Sequence, residues 1–243
     1  MDGVLVAVKD ELDCLPYPTT GGTRWLGAAR RCEADAACVA QLRACGAVMA
    51  GKANMHELGA GTSGINPHHG STRNPYCLAR VSGGSSGGSA AAVCAGLCPV
   101  ALGADGGGSV RMPAALCGVV GFKPTAGRLS NAGLLPLNWT VGMPGILAAT
   151  VEDALIASVP HFAHQPALVR YSIAGNFLGL PAITVPVGYD RGGLPVGLQF
   201  VGRPWSEATL LHLAYAMQEA CAARERQRKP KVHFDLLPRD LEK

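Results

Sequence analysis

The sequence is poor in aromatic residues and contains no apolar run long enough to cross a membrane. Phe, Trp and Tyr make up 5% of its 243 residues, whereas 32 residues are glycine. Small side chains must therefore fill much of the interior. A membrane-spanning helix needs about 20 consecutive apolar residues, and no secretory signal peptide is evident. We expect an intracellular protein without a transmembrane span.

Three kinds of site are also missing. The nine cysteines are scattered and form neither a zinc-binding pattern nor a CxxC motif, which is typical of buried thiols in a reducing compartment. A phosphate loop of the GxxxxGK[ST] type is absent. The net charge is only +4, and much of its basic excess lies in residues 224–231, a pattern more typical of a solvated helix end than of nucleic-acid binding. His68 and His69 lack a third metal ligand, so we predict no metal and no cofactor.

Residues 82–111, SGGSSGGSAAAVCAGLCPVALGADGGGSVR, are the most informative stretch. Their Ala-rich centre, residues 89–98, predicts a short buried helix that ends before Pro99, and residues 99–105 predict a buried strand. Glycine- and serine-rich clusters flank this unit at residues 82–88 and 106–109. Because glycine allows close backbone approach, the two clusters can bring Ser85 or Ser86 near Ser109. The pattern favours hydroxyl chemistry or anion binding.

Two other interpretations of the glycine and serine clusters remain open on composition alone. Such segments are often flexible linkers or turns, although the apolar run between the clusters argues against a linker. Glycine-rich loops and helix N-termini also bind phosphate groups. The missing nucleotide-binding spacings weaken that interpretation.

Two lysines are candidates for a catalytic base. Residues 4–8, VLVAV, predict a buried strand that ends at Lys9. Lys52 follows a second apolar run, residues 47–50. A lysine at a strand end usually reaches solvent, so the residues by themselves do not assign a role to either.

The remaining patterns predict one mixed α/β layered domain spanning residues 1–243. Residues 34–45 predict a helix and residues 46–50 a strand. Residues 111–118 predict a helix that carries Ser109 at its N-terminal end, with Asp105 and Arg111 forming a structural ion pair around the loop. Thr150 and Ser206 are predicted helix N-caps. Alternating apolar runs at 181–189 and 194–201, joined by residues 190–193, predict a hairpin.

The motif GGSSGGSAAAVCAGLCPVALGADGGGSVRMPAALCGVVGFKPT resembles the core motif of the amidase signature family of serine hydrolases. Its DGGGSVR form, together with HELGAGTSG, STRNP and GLPAITVPVGYD, is most similar to plant-type fatty acid amide hydrolases. The resemblance continues with gaps from about residue 4 to the C-terminus. It implies a mixed β-sheet core flanked by helices.

The resemblance also implies roles for particular residues. Ser109 would be the nucleophile, Ser85 a bridging serine on a cis peptide after Gly84, and Lys9 the terminal base, while Lys52 would be structural. Lys9 precedes Ser85 by 76 residues and Ser85 precedes Ser109 by 24, close to the family intervals. An oxyanion hole would be formed by backbone N–H groups of the loop Gly106, Gly107, Gly108 and Ser109.

Parts of the family pattern have no counterpart in this sequence. The family's lead-in before the Lys9 strand and its long central segment are missing, and the junction falls near residues 159–165. We therefore expect a truncated fold of low stability, with an exposed apolar patch beside the active-site cleft. The site geometry should persist, although we expect the shortened chain to fall short of catalytic competence.

Three functions are compatible with this sequence. The favoured one is a serine amidase that hydrolyses fatty acid amides, of the N-acylethanolamine type, through a Ser-Ser-Lys triad. The alternatives are a catalytically inactive paralogue that acts as an interaction protein, and the amidase component of a tRNA-dependent amidotransferase. The expected partner is a small acyl amide and not nucleic acid. The sequence leaves open peripheral membrane contact and a homodimer.

Overall fold

The computed structural model describes residues 1–135, 137–158, 176, 178–222 and 230–234. Nine strands lie in this part of the chain: β1 (Leu5–Lys9), β2 (Val48–Ala53), β3 (Arg73–Asn74), β4 (Cys77–Val81), β5 (Val100–Asp105), β6 (Val120–Lys123), β7 (Met143–Ala148), β8 (Ala182–Tyr189) and β9 (Pro195–Val201). Its α-helices are α1 (Leu26–Ala29), α2 (Ala37–Ala44), α3 (Gly87–Cys94), α4 (Arg111–Cys117), α5 (Val151–Ser158) and α6 (Glu207–Ala222). A short 3₁₀ turn covers Glu57–Gly59.

Seven strands form one mixed sheet in the order β2-β1-β5-β7-β6-β8-β9, and β3 pairs with β4 in a separate hairpin. β1 runs parallel to both β2 and β5, whereas the pairs from β5 to β9 are antiparallel. β5, β6 and β7 are buried along their whole length, as expected of strands covered on both faces. The predicted mixed α/β class is confirmed.

Helices cover both faces of the sheet. α3 and α4 pack on one face, where a cluster of small side chains includes Ala7, Ala90 and Ala114. The other face carries a larger apolar cluster that contains Val8, Phe122 and side chains of α2, α5 and α6. This three-layer packing buries the middle of the sheet and leaves the ends of its strands free to form a site.

The predicted elements are present with shifted ends. α3 begins and ends earlier than the expected 89–98, and Gly96 follows it at a φ of +74°, in the left-handed region that ends a helix. β2 spans Val48–Ala53, beyond the expected 46–50, so Lys52 lies within the strand. The strand predicted at 99–105 matches β5 to within one residue.

The C-terminal hairpin joins the sheet that holds Lys9, as the sequence predicts. β8 pairs with β6, where Phe122 lies opposite Ile183, and β9 pairs with β8. The turn between them is closed by the Asp190 carboxylate, which accepts the Leu194 N–H at 2.8 Å. The hairpin therefore extends the sheet at the edge opposite β2.

The two predicted helix caps have different outcomes. The Thr150 hydroxyl accepts the backbone N–H of Asp153 at 3.1 Å, which confirms an N-cap on α5. Ser206 precedes α6 as predicted, but its hydroxyl donates to the Arg203 carbonyl at 2.7 Å instead of accepting an α6 N–H group. Ser206 nevertheless holds the N-cap position, because its carbonyl accepts the Leu210 N–H at 3.0 Å.

The cysteines are free thiols, five of them buried: Cys14, Cys38, Cys94, Cys98 and Cys117. None of the helices in the described ranges combines the length and apolar composition that a membrane crossing requires. The expected junction at residues 159–165 lies outside the described residues, so its position stays a prediction.

Candidate active site

Lys9 lies at the end of β1 with its side chain completely buried. Its Nζ donates to the Ser85 Oγ at 2.6 Å and to the Ala104 carbonyl at 3.1 Å, and it lies 2.5 Å from Glu11 Oε1. Because β1 and β5 are parallel neighbours, their carboxyl ends meet at the same edge of the sheet. That geometry brings Lys9 to the mouth of β5, where the second glycine cluster begins.

Lys52, the rival base, has a different environment. Its Nζ donates to the Leu12 carbonyl at 2.6 Å and to the Thr19 hydroxyl at 3.0 Å, and it lies 3.4 Å from Asp10 Oδ1. These contacts tie the chain after β1 to β2. The geometry therefore agrees with a structural role for Lys52 and leaves Lys9 as the lysine in contact with a loop serine.

Ser85 precedes α3 and is buried, and the Gly84–Ser85 peptide bond is cis, as the resemblance implies. Its loop packs backbone to backbone against residues 61–64: a Cβ at Gly84 would lie 2.6 Å from the Gly64 nitrogen. Such close approach explains the requirement for glycine here. Neighbouring Ser86 donates its hydroxyl to the Ala104 carbonyl at 3.2 Å and its N–H to the Ser109 carbonyl at 3.1 Å. Ser86 thus links the two glycine clusters.

Ser109 lies just before α4 and is 8% exposed. The Asp105 carboxylate fixes its loop by accepting the N–H groups of Gly107 and Gly108 at 3.1 and 2.6 Å. Within the described ranges, the N–H groups of Gly106 and Ser109 donate to no protein acceptor. Of the four expected oxyanion donors, two are therefore already occupied by Asp105, and the available set narrows to Gly106 and Ser109.

A buried polar network supports this loop from behind. Arg111 forms two hydrogen bonds to the Asp105 carboxylate, at 3.0 and 2.9 Å, and further bonds to Asn176 Oδ1 at 2.7 Å and Gln199 Oε1 at 2.9 Å. Burial alone would raise the pKa of Asp105, but the Arg111 guanidinium outweighs that effect and holds the pKa well below its usual range. The predicted Asp105–Arg111 ion pair is confirmed.

The sequence reasoning missed Glu11. The chain turns back after β1 through a bond from the Leu12 N–H to the Lys9 carbonyl at 3.0 Å, and this turn places the Glu11 side chain against Lys9. Glu11 is only 5% exposed. Burial raises its pKa, while the nearby Lys9 charge opposes the rise. In the sequence, Glu11 is one of several acidic residues after the strand, so no pattern singles it out.

Glu11, Ser85 and Ser109 line one cavity of about 220 Å³. Leu135 and Leu137 complete its wall, and Leu137 is 58% exposed. Leu58 lies beside Leu135, since a Cβ at Gly21 would lie 3.1 Å from the Cδ2 atoms of both. We call Leu58, Leu135 and Leu137 the leucine rim. Leu58 and Leu137 of this rim are exposed, 39% and 58%, whereas the expected larger apolar patch beside the cleft stays a prediction.

His68 pairs with Glu57, with Nε2 lying 2.8 Å from Oε1. Within the part of the chain that the structure describes, no group of three or more His, Cys, Asp or Glu side chains is arranged to hold a metal ion. The His69 N–H donates to Asn66 Oδ1 at 2.9 Å, so both histidines contribute to the packing of their loop.

Sequence comparison finds relatives among amide-hydrolysing enzymes. The sequence model of the family described as Amidase matches residues 1–172 and 158–211. A fatty acid amide hydrolase of Arabidopsis thaliana is 31% identical in an alignment 411 positions long, gaps included, which covers 98% of this chain and 67% of the relative. An indoleacetamide hydrolase of Pseudomonas syringae pv. syringae is 51% identical over 152 residues, covering 63% of this chain and 34% of the relative.

Solved structures show the same fold. One component of the glutamyl-tRNA(Gln) amidotransferase of Thermotoga maritima superposes with a TM-score of 0.85 at 24% identity, covering 96% of this chain and 88% of that one. A peptide amidase from Stenotrophomonas maltophilia gives a TM-score of 0.84 at 22% identity, covering 96% of this chain and 85% of its own. The family match and the Arabidopsis thaliana relative show that the chain belongs to the amidase signature family of amide-hydrolysing enzymes.

Proposed function

In contrast to the low catalytic competence expected from the missing segments, we propose that the chain hydrolyses an amide C–N bond with Ser109 as nucleophile, Ser85 as proton relay and Lys9 as base. The observation that carries this proposal is the 2.6 Å contact between Lys9 Nζ and Ser85 Oγ at a cavity that Ser109 also lines. A serine hydroxyl attacks an amide only when a base removes its proton. The three side chains supply the nucleophile, the relay and the base.

The proposed steps balance in protons. When the Ser109 oxygen bonds to the substrate carbonyl carbon, its proton passes to the Ser85 oxygen, and the Ser85 proton passes to Lys9 Nζ. The carbonyl electron pair becomes an oxyanion. As that intermediate collapses, the C–N bond breaks and the proton returns through Ser85 to the leaving nitrogen. Water then releases the acid from Ser109 by the same relay.

The backbone around Ser109 suits the oxyanion. The Asp105 carboxylate accepts the N–H groups of Gly107, Gly108 and Val110. The N–H groups of Gly106 and Ser109 remain as donors for the oxyanion. An oxyanion-hole donor is typically worth about 3 kcal/mol in the transition state. Because the Asp105–Arg111 pair fixes the loop before substrate arrives, little reorganisation is needed during the reaction.

We propose fatty acid amides as the substrate class. In support, the alignment with the Arabidopsis thaliana relative covers 98% of this chain. The cavity of about 220 Å³ is smaller than the ~300–1,000 Å³ common for drug-sized ligands. It accommodates the reacting amide, and a long acyl chain would continue over the leucine rim. Hydrolysis of acyl amides of increasing chain length would measure this contribution.

Labelling with a fluorophosphonate probe tests the site, because the probe reacts only with an activated serine. Mass spectrometry should place the adduct on Ser109, and Ser109→Ala should abolish it. Lys9→Ala should slow labelling by about 10²- to 10⁴-fold, as loss of a general base does. The matched control, Lys52→Ala, should still react. An adduct on Ser85 or Ser86, or loss of reaction in the Lys52 variant alone, would contradict the assignment.

A second candidate is the glutaminase component of an amidotransferase. One chain of the glutamyl-tRNA(Gln) amidotransferase from Nitratidesulfovibrio vulgaris is 50% identical over 197 residues, which cover 74% of this chain and 40% of the relative. Glutamine hydrolysis that begins only when the other components of such an enzyme are added would favour this candidate. A cooperatively folded chain that neither labels nor hydrolyses any amide would instead favour an inactive interaction protein.

A further inference from the structure

We propose that Glu11 is a positioning residue of the relay, holding Lys9 and stabilising the ammonium that forms when Lys9 takes the proton. This inference rests on the proposed function. Glu11 Oε1 lies 2.5 Å from Lys9 Nζ, and the two side chains are 6% and 0% exposed. Glu11 also lines the cavity that Ser85 and Ser109 share. It is therefore the carboxylate in direct contact with the base.

The contacts of Lys9 suit both of its protonation states. An ammonium has three N–H donors, and Nζ has three acceptors around it: Ser85 Oγ, the Ala104 carbonyl and Glu11 Oε1. A neutral amine donates two N–H groups, to Ala104 and Glu11, and turns its lone pair to the Ser85 hydroxyl. The proton can thus arrive from Ser85 without any movement of Nζ.

Glu11 keeps its charge through the cycle. It neither gains nor loses a proton when the Ser85 proton moves to Lys9 and later returns. Its role is that of the aspartate in a Ser-His-Asp triad, which orients the base and stabilises the cation formed on it. The carboxylate therefore stabilises the ammonium group that forms when Lys9 takes the proton.

Other charged groups near the pair are already engaged. Asp10 and Asp105 are the further carboxylates that act on Glu11. Asp10 lies 3.4 Å from Lys52 Nζ, and Asp105 is paired with Arg111 at 2.9 Å. Each of these charges is thus balanced by a partner of its own. Removing the Glu11 charge should consequently destabilise the Lys9 ammonium far more than removing the charge of Asp10 or Asp105.

The test is the pH dependence of fluorophosphonate labelling and of amide hydrolysis in the full chain and in Glu11→Gln. Glutamine keeps the size and a hydrogen-bond acceptor but removes the charge. We expect the acid limb of both profiles to move to lower pH by about one to three units, the usual effect of a close opposite charge. The plateau kcat should fall about tenfold, since Lys9 becomes a weaker base, with KM nearly unchanged.

The matched control, Glu57→Gln, removes a carboxylate that pairs with His68 instead and should leave the acid limb in place.

An acid limb that stays where it is in the parent chain, or a loss of rate that is equal at every pH, would overturn the role of Glu11. A parent chain that does not label at all would refute the proposed function instead, so the two failures are distinct. A second measurement does not need activity. It follows the ¹³C NMR signal of the Glu11 side-chain carboxyl, which is assigned by its loss in Glu11→Gln, as the pH is changed. In Lys9→Ala the titration midpoint of this carboxyl should move to higher pH, because the buried carboxylate loses its cation. An unchanged midpoint would also contradict the pairing.

Discussion

Lys123 is a second completely buried lysine of the sheet, and it has no place in the proposed relay. Its Nζ donates to the Pro124 carbonyl at 2.8 Å and lies 3.4 Å from the Met143 sulfur. Burial lowers the pKa of Lys123 to about 7, although the charges of Asp105 and Glu207 oppose the shift. The folded chain therefore prefers a neutral amine at a pH where the unfolded chain carries an ammonium.

This difference predicts how stability depends on pH. Between pH 7 and about 10 the unfolded state binds one proton more at Lys123 than the folded state, so this group makes the free energy of unfolding rise with pH. The rise is at most about 1.4 kcal/mol per pH unit. In Lys123→Met that contribution should vanish. Urea unfolding of parent and variant at several pH values measures it, and parallel stability curves for the two would contradict the prediction.

At the same scale, the sequence predicts some site residues and not others. Lys9, Ser85 and Ser109 could be named as candidates because a strand end and two glycine clusters have recognisable patterns, and the family resemblance connects them. The Lys9–Glu11 contact could not, because it depends on how one turn after β1 folds back. The sequence also could not predict which loop N–H groups bond to Asp105 and which remain for the cavity, because this depends on the orientation of the Asp105 carboxylate.

Among the secondary-structure elements, α3 is the one whose glycines have the clearest packing reason. A Cβ at Gly88 would lie 2.5 Å from both the nitrogen and the carbonyl oxygen of Asn54. Gly88 also donates its N–H to that carbonyl at 2.9 Å. The helix that follows Ser85 is thus held directly against the chain after β2, and this contact helps to fix the serine.

Gly88→Ala should therefore destabilise the chain and slow labelling of Ser109. The new methyl group cannot avoid backbone atoms, and overpacking of this kind typically costs about 1–3 kcal/mol. Thermal unfolding and probe labelling measure the two effects. Gly192→Ala is the control: it lies in the β8–β9 turn, where the nearest group is the Asp190 side chain at 3.2 Å. Equal stability of the two variants would contradict the packing argument.

For elements in general, composition predicted their type better than their ends. The apolar content of residues 99–105 was enough for β5, and the turn residues 190–193 were enough for the β8–β9 hairpin. β2 extends through Lys52 because pairing with β1 continues to Lys9. That register is a tertiary property, and no local pattern of residues 46–53 specifies it.

Across the whole molecule, the loop before Ser109 depends on residues far apart in the chain. Asn176 donates through Nδ2 to the Asp105 carbonyl at 2.7 Å and to the Val141 carbonyl at 3.1 Å, and accepts from Arg111. Gln199 of β9 binds the same guanidinium. The strand order β6-β8-β9 is what brings Gln199 to the loop.

Asn176→Ala should impair a site that it does not line. The change leaves buried carbonyl groups without a donor, at a typical cost of about 1–3 kcal/mol, and loosens Arg111. We expect a lower melting temperature and slower labelling of Ser109, with the adduct still on that residue. The control is Asn138→Ala, in an exposed turn where the Asn138 side chain bonds Thr140. This variant should change the melting temperature and the labelling rate little. Parent-like labelling in Asn176→Ala would show that the loop holds its shape alone.

The long reach of the Arg111 contacts has a consequence during protein synthesis. The partners of Arg111 at Asn176 and Gln199 follow it by 65 and 88 residues. While β9 is still inside the ribosome, the nascent chain already contains Lys9, Ser85 and Ser109, yet the Arg111 guanidinium still lacks its contact with Gln199. Contacts so distant in the chain close late in folding. We therefore expect Ser109 to become reactive only once β9 has joined the sheet. By then the nascent chain has passed the stage at which its hydroxyl is least protected.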